Sequence, residues 1–124
     1  TYIKIHLFYT MNSIFQKPWG SFQILEQGNN YLVKNLIVKP GGKLSLQSHE
    51  HRSEHWVIVQ GIAKVTINEI VKTLKINESI YIHKKKKHRL ENEGQENLIV
   101  IEVQYGTVLQ ENDIIRYKDI YNRK

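Results

Sequence analysis

Apolar and polar residues alternate in short segments along most of this chain, and this two-residue period is the strongest indication of its fold. Successive side chains of a β-strand point to opposite faces, so the alternation predicts strands with one buried and one exposed face. Segments of this kind are Tyr31 to Val38, Trp56 to Val59, Ala63 to Ile67, Ser79 to Ile82 and Leu98 to Val103. The only helical structure predicted is a short C-terminal turn after Glu111, capped by Asn112 or Asp113.

Turn-forming residues separate the strands at regular intervals, at Gly28-Asn29-Asn30, Pro40-Gly41-Gly42, Gln60-Gly61 and Glu93-Gly94. Many short strands at this spacing predict an all-β sandwich or barrel, and a double-layered jelly-roll barrel hides most of the strand edges. The 124 residues suffice for one such domain, which we place at residues 17–124. Residues 1–16 are predicted to be an N-terminal extension that forms an edge strand or a strand swapped with a second subunit.

Composition narrows the function classes. The chain has no cysteine and no apolar run near the roughly 20 residues of a membrane helix, so we expect a cytoplasmic protein without a membrane partner. The formal net charge of +6 favours an anionic partner, and the run Lys84 to Lys87 is its most obvious source. Such a run is most often a solvated loop. Because no aromatic residues are interleaved with the lysines, nucleic acid is not the expected partner.

Side chains able to bind a metal ion are densest between residues 47 and 55. In a strand, Gln47, His49 and His51 would project to the same face of the sheet. Glu54 follows after a bend, so a neighbouring strand could bring its carboxylate close to these side chains. His88 lies at a later strand that could also reach them. We therefore predict a single divalent metal ion bound by Gln47, His49, Glu54 and His88. Two imidazoles, a carboxylate and an amide oxygen suit Zn²⁺, Co²⁺, Mn²⁺, Ni²⁺ or Fe²⁺.

The spacing of these candidate ligands resembles that of the two motifs of the cupin superfamily. Four residues separate His49 from Glu54, six separate Glu54 from Gly61, and three separate His88 from Asn92. The glycine, proline and second glycine usual in the second motif are replaced by Asn77, His83 and Lys85. The resemblance implies the cupin double-stranded β-helix, which is a jelly-roll barrel.

Longer phrases resemble type II phosphomannose isomerase, usually the C-terminal domain of a bifunctional enzyme with mannose-1-phosphate guanylyltransferase. They include Lys17-Pro18-Trp19-Gly20, His51-Arg52-Ser53-Glu54-His55-Trp56, Ile101-Glu102-Val103-Gln104-Tyr105-Gly106 and Asp113-Ile114-Ile115-Arg116. Asn122 stands where glycine is usual, and asparagine tolerates the left-handed conformation. The resemblance implies metal-dependent interconversion of mannose 6-phosphate and fructose 6-phosphate for GDP-mannose and polysaccharide synthesis, with Zn²⁺ as the first choice of metal.

The resemblance also implies the partners of the chain. These are a sugar phosphate substrate, a guanylyltransferase domain that is fused or separate, and a second copy of the chain in a homodimer. The nucleotide-binding segment of the guanylyltransferase has no counterpart among these residues. We therefore do not expect the chain by itself to transfer GMP.

If the chain is such an isomerase, it needs a base, a group that stabilises the enediolate, and a phosphate anchor. His51 is the first candidate for the base, and its alternative role is to line the pocket. Arg52 would stabilise the enediolate or bind the phosphate, or instead form an ion pair with Glu54 or Glu102 at the mouth of the barrel. The phosphate anchor is predicted close to His88 in sequence, among Lys86, Lys87 and Arg89.

Two other functions use the same residues. The metal ligands alone would also suit a cupin dioxygenase that holds Fe²⁺, and a non-catalytic module would bind the sugar phosphate without turning it over. The large aromatic side chains Trp19 and Trp56 are predicted to lie in the core under every alternative.

Overall fold

A computed structural model of the chain describes residues 12–124, and all of the regular structure in this range is β. The predicted extension at residues 1–16 therefore lies mostly outside the described residues, and of its remainder Ile14 begins the first strand. The strands are β1 (Ile14–Lys17), β2 (Gly20–Gly28), β3 (Tyr31–Val38), β4 (Leu46–Ser48), β5 (Arg52–Gln60), β6 (Ala63–Ile67), β7 (Ile70–Leu74), β8 (Ser79–Ile82), β9 (His88–Glu91), β10 (Leu98–Gly106) and β11 (Ile115–Lys118).

These strands form two antiparallel sheets. One has the order β1-β2-β3-β10-β5-β8, and the other has the order β11-β4-β9-β6-β7. Neighbours in sequence are often not neighbours in the sheet, as where β10 lies between β3 and β5. The two-layered, all-β class predicted from the alternating pattern is confirmed.

The core lies between the sheets and is formed by the inward residues of each alternating strand. In β5, Trp56 and Ile58 are buried while Val57 and Val59 point outward. The predicted core positions of both tryptophans are confirmed, since Trp19 is 5% exposed and Trp56 is 2% exposed. Burial of these large apolar side chains is the main source of stability for such a sheet pair.

The predicted helical turn after Glu111 is wrong, and no helix occurs in residues 12–124. The segment instead forms β11, which pairs with β4 so that Arg116 lies opposite Gln47. The Asp113 carboxylate, rather than capping a helix, accepts hydrogen bonds from two backbone N–H groups of the β4–β5 connection. No helix in this range could therefore span a membrane.

Left-handed backbone conformations occur at three positions where the sequence lacks an expected glycine. They are Asn77 (φ 70°), Lys85 (φ 71°) and Asn122 (φ 59°). Asparagine adopts this conformation more easily than most residues, so the expectation for Asn122 is confirmed. At Lys85 a hydrogen bond holds the turn: the Lys85 N–H donates to the His49 carbonyl at 2.7 Å. This bond joins the β8–β9 loop to a candidate metal ligand.

Candidate metal centre

Three of the four predicted ligands meet between the two sheets. His49 follows β4, Glu54 lies on β5 and His88 begins β9, and one potential ligand atom from each lies within 4.8 Å of the others. Each of the three residues is only 2% exposed. Two imidazoles and a carboxylate in this arrangement could hold a divalent metal ion.

Backbone carbonyls orient both imidazoles. His49 Nδ1 lies 2.7 Å from the Asp113 carbonyl oxygen, and His88 Nδ1 lies 2.9 Å from that of Lys86. A carbonyl only accepts, so each Nδ1 carries a hydrogen, and in a neutral imidazole the lone pair is then on Nε2. The two Nε2 atoms lie 3.3 Å and 3.6 Å from the carboxylate of Glu54. This is the orientation that a histidine needs in order to bind a metal through Nε2.

The guanidinium of Arg52 reaches into the same group. Its Nε donates to Glu54 Oε2 at 2.9 Å, its Nη2 lies 3.2 Å from His49 Nε2, and its Nη1 donates to the Gln110 carbonyl at 3.3 Å. Because arginine is only a donor, the Nη2 contact independently requires the lone pair of His49 to be on Nε2. Arg52, Glu54 and His88 line a cavity between the two sheets, and Arg52 is buried in it rather than at the mouth of the barrel. Its ion pair with Glu54 is one of the two pairings predicted from the sequence.

The electrostatics keep this group in the form that binds a metal. Burial lowers the pKa of His49 to about 4, so its imidazole is neutral at physiological pH. Burial by itself raises the pKa of Glu54, but the neighbouring groups, of which the Arg52 guanidinium contributes most, together outweigh burial and hold that pKa well below the usual range. A neutral imidazole and an ionised carboxylate are the ligand forms that a divalent ion requires.

A second buried carboxyl lies next to the first. Burial, together with the charge of Glu54, raises the pKa of Glu102 above its ordinary value. Its two oxygens accept hydrogen bonds from Trp56 Nε1 and Gln104 Nε2, each at 2.9 Å. Glu102 therefore keeps a proton more readily than an exposed carboxyl does, while remaining fixed in position.

Gln47, the fourth predicted ligand, lies on β4 directly across from His88 on β9 and lines the same cavity. Its amide nitrogen donates to the carbonyl and the hydroxyl of Ser45 at 3.3 Å and 3.1 Å. That leaves the amide oxygen as the atom of Gln47 available to a ligand.

The structure does not bring His51 to this cavity. The strand β4 ends at Ser48, and the backbone bends through Glu50 and His51, whose N–H groups both donate to the Asp113 carboxylate at 3.0 Å. The bend breaks the alternation on which the common face with His49 was predicted. His51 is exposed and lines a separate surface depression with His83 and others.

The predicted phosphate anchor also lies elsewhere. Arg89 donates to the carbonyl oxygens of Leu44 and Lys118, and Lys87 lies 4.3 Å from the centre of the Tyr117 ring. Both line a depression on the outer side of the five-stranded sheet, and Lys86 is an exposed residue of the preceding loop. Alternation along β9 explains the result, because it turns Arg89 away when His88 points inward.

The cavity has cationic residues that the sequence-based reasoning did not select. They are Lys17, Lys34, Arg116 and Arg123. Two of them, Lys17 and Arg116, belong to sequence segments that resemble the isomerase family. That resemblance could have identified these two as candidate site residues. Composition and runs of charge could not identify the four cations, because these residues are dispersed along the sequence.

Two facing antiparallel sheets with a buried histidine and carboxylate group between them define a barrel of the cupin class. An RmlC-like cupin from Shewanella frigidimarina has the same fold, with a TM-score of 0.70 over 82% of this chain and 87% of that one, at 16% identity. More specifically, the chain belongs to the family described as mannose-6-phosphate isomerase C-terminal, whose model matches residues 6–119.

Two curated relatives are about equally similar. The chain is 50% identical over 107 residues to mannose-1-phosphate guanylyltransferase ManC of Salmonella typhimurium. It is 49% identical over 107 residues to alginate biosynthesis protein AlgA of Pseudomonas putida. Each match covers 86% of this chain, which spans only 22% of the length of either relative.

Proposed function

We propose that this chain is a metal-dependent aldose–ketose isomerase that interconverts mannose 6-phosphate and fructose 6-phosphate. The observation that carries the proposal is the convergence of His49 Nε2, His88 Nε2 and the Glu54 carboxylate at one buried point between the sheets, beside the Arg52 guanidinium. Membership of the isomerase C-terminal family supports the choice of reaction.

The residues present fit a bound divalent ion. Both imidazoles have the Nε2 lone pair directed at the Glu54 carboxylate, and Gln47 contributes an amide oxygen from the adjacent strand. We propose that His49, Glu54, His88 and Gln47 hold the ion, with Zn²⁺ as the first choice. When bound, the ion would act as a Lewis acid that stabilises negative charge on the sugar oxygens.

The reaction moves a proton between C1 and C2 through a cis-enediol, and negative charge develops on the oxygens. Arg52 is placed to stabilise this charge. The single lone pair of His49 Nε2 can serve either Arg52 or an ion, so ligation of His49 leaves the Arg52 Nη2 donor available to a substrate oxygen.

A proton carrier must also lie within reach of the substrate carbons. Because His51 lines a different depression, we propose one of the cavity carboxyls, Glu102 or Glu111, for this role. Substitution of each by glutamine identifies the carrier as the one whose loss lowers kcat more.

The proposed product chemistry places the chain in GDP-mannose and polysaccharide synthesis, where a fused or separate guanylyltransferase would consume the derived mannose phosphate. The names of both relatives support this context.

We also propose a homodimer formed by the outer face of the six-stranded sheet, where Val57, Val59, Tyr81 and Tyr105 are 36–59% exposed.

A coupled assay for fructose 6-phosphate tests the proposed reaction. A chelator should abolish formation of fructose 6-phosphate from mannose 6-phosphate, and Zn²⁺ or Co²⁺ should restore it. Replacement of a buried ligand in Glu54→Gln should lower the activity about 100-fold or more, whereas Glu69→Gln, an exposed carboxylate outside the cavity, should not change it.

Three results would overturn the proposal. One is metal binding and mannose 6-phosphate binding without turnover, which indicates a non-catalytic module. Another is dependence of activity on oxygen, which indicates a dioxygenase. The third is full isomerase activity in Glu54→Gln.

A further inference from the structure

The cations that line the cavity fall into two groups. Lys34 lies 2.6 Å from a Glu111 carboxylate oxygen, and Arg52 is paired with Glu54. Lys17 and Arg116, by contrast, form no ion pair with a carboxylate among residues 12–124. A cavity that places cations together without matching acids has the electrostatics of an anion site.

Arg116 carries a donor that lacks a hydrogen-bond partner among residues 12–124. Its Nη1 donates to the Lys124 carbonyl at 2.6 Å, but its Nε is buried and makes no hydrogen bond with the described residues. Burial, with the charge of the nearby Arg123 adding to it, lowers the pKa of the Arg116 guanidinium. A buried donor without an acceptor costs free energy, and an anion that accepts its hydrogen bond removes that cost.

Arg123 is held in place next to Arg116. Its Nε and Nη2 donate to the two oxygens of Asp119 at 2.8 Å and 3.1 Å, so its planar fork is fixed while further donors remain. Lys17, at the end of β1, lines the same cavity with its Nζ 5.7 Å from the centre of the Phe22 ring. Near these three cations lie two carboxylates, those of Asp119 and Glu111, and each of them already has a cationic partner, Arg123 for Asp119 and Lys34 for Glu111.

The two ends of the cavity differ in exposure. The three candidate metal ligands are each 2% exposed, whereas the Arg123 side chain is 22% exposed. The volume of the cavity is about 80 Å³, well below the roughly 300 Å³ or more of typical ligand sites. An occupant whose reacting end lies beside the triad must therefore extend outward, toward the unmatched cations.

We propose that Lys17, Arg116 and Arg123 form an anion subsite that binds the phosphate group of the substrate at the mouth of the cavity. The identity of that phosphate as part of a sugar phosphate rests on the proposed isomerase function. The subsite replaces the anchor that the sequence placed at Lys86, Lys87 and Arg89. Guanidinium groups suit this role, since their parallel N–H donors match the oxygens of a phosphate.

The test measures KM and kcat for mannose 6-phosphate, and the dissociation constant of inorganic phosphate, in Arg116→Gln and Lys17→Gln. Each variant should raise KM about 10- to 100-fold with little change in kcat, because a charge-assisted hydrogen bond is lost. Inorganic phosphate should bind more weakly by a similar factor. The control Lys72→Gln removes the same charge from an exposed residue of β7 and should change neither value.

Thermal unfolding of each variant checks the fold, and Lys17→Gln keeps the test decisive if Arg116→Gln is unstable. The Lys17 side chain makes no hydrogen bond or ion pair with residues 12–124, so its removal should cost little stability. Unchanged KM and unchanged phosphate affinity in both variants would overturn the subsite. So would a raised KM in Lys86→Gln combined with an unchanged KM in Arg116→Gln.

The outcomes separate the subsite from the reaction. If the chain binds inorganic phosphate but does not isomerise mannose 6-phosphate, and Arg116→Gln weakens that binding, the subsite stands while the isomerase function fails. If the chain isomerises mannose 6-phosphate and both variants keep the original KM, the isomerase function stands while the subsite fails.

Discussion

A single guanidinium, that of Arg52, contacts two of the three candidate metal ligands. Its Nε donates to Glu54 Oε2 at 2.9 Å and its Nη2 lies 3.2 Å from His49 Nε2. The ammonium of a lysine is a point charge on a flexible stem and lacks the fixed, planar pair of donors that Arg52 presents. The residue type at this position therefore matters as well as its charge.

Substitution Arg52→Lys should lower kcat about 10- to 100-fold while leaving the bound metal content unchanged, since the triad keeps all of its ligand atoms. Steady-state kinetics and elemental analysis of the purified variant measure the two quantities. Arg89→Lys, on the outer side of the sheet, is the matched control and should retain full kcat. An Arg52→Lys variant with normal kcat, or one that has lost its metal, would contradict the proposed role.

At the scale of the strands, β11 and Asp113, two residues before it, position the candidate metal centre from the far end of the sequence. The Asp113 carbonyl orients His49, and its carboxylate holds the β4–β5 bend through the N–H groups of Glu50 and His51. The strand itself pairs with β4, where the Tyr117 and Ser48 hydroxyls lie 2.9 Å apart. The conformation of the ligand loop thus depends on a segment more than 60 residues away in sequence.

Removal of this support in Asp113→Ala should weaken Zn²⁺ affinity about 10- to 100-fold, because the His49 ring loses its fixed orientation when the bend relaxes. Competition with a chromophoric chelator measures the affinity. Asp119→Ala also removes a carboxylate from the C-terminal segment, but its partner is Arg123, so it should leave Zn²⁺ affinity unchanged. Equal losses of affinity in the two variants would show that Asp113 has no specific role in orienting the ligand.

The same segment shows what the sequence could and could not predict. The spacing of His49, Glu54 and His88, through its resemblance to the cupin motifs, identified three residues that do converge. The face of His51 was predicted by extending that alternation through a bend, and the bend is caused by Asp113, a contact that no local pattern reveals. The cations of the cavity were missed for the same reason, since only the tertiary fold brings Lys17 next to Arg116 and Arg123.

At the scale of the whole molecule, the candidate metal centre joins the two layers of the barrel. Glu54 belongs to the six-stranded sheet, whereas His88 and the neighbour of His49, Ser48, belong to the five-stranded sheet. In the absence of an ion, the buried Glu54 charge is balanced mainly by Arg52. An ion bound there would link the sheets and add a second balancing charge, and it could do so only in the folded state.

Metal binding should therefore raise the thermal stability of the chain. An ion at 100 times its dissociation constant stabilises the folded state by about 2.7 kcal/mol, which for a domain of this size is a rise in Tm of roughly 10 °C. Calorimetry of chelator-treated protein, with and without added Zn²⁺ or Co²⁺, measures the shift. Mg²⁺ prefers oxygen ligands and should produce little shift, because two of the ligands are imidazoles.

Replacement of those imidazoles in a His49→Gln, His88→Gln double variant should abolish the response to Zn²⁺. An equal rise in Tm in that variant would mean that Zn²⁺ binds elsewhere on the surface, and no rise in the original chain would mean that the three side chains do not hold an ion.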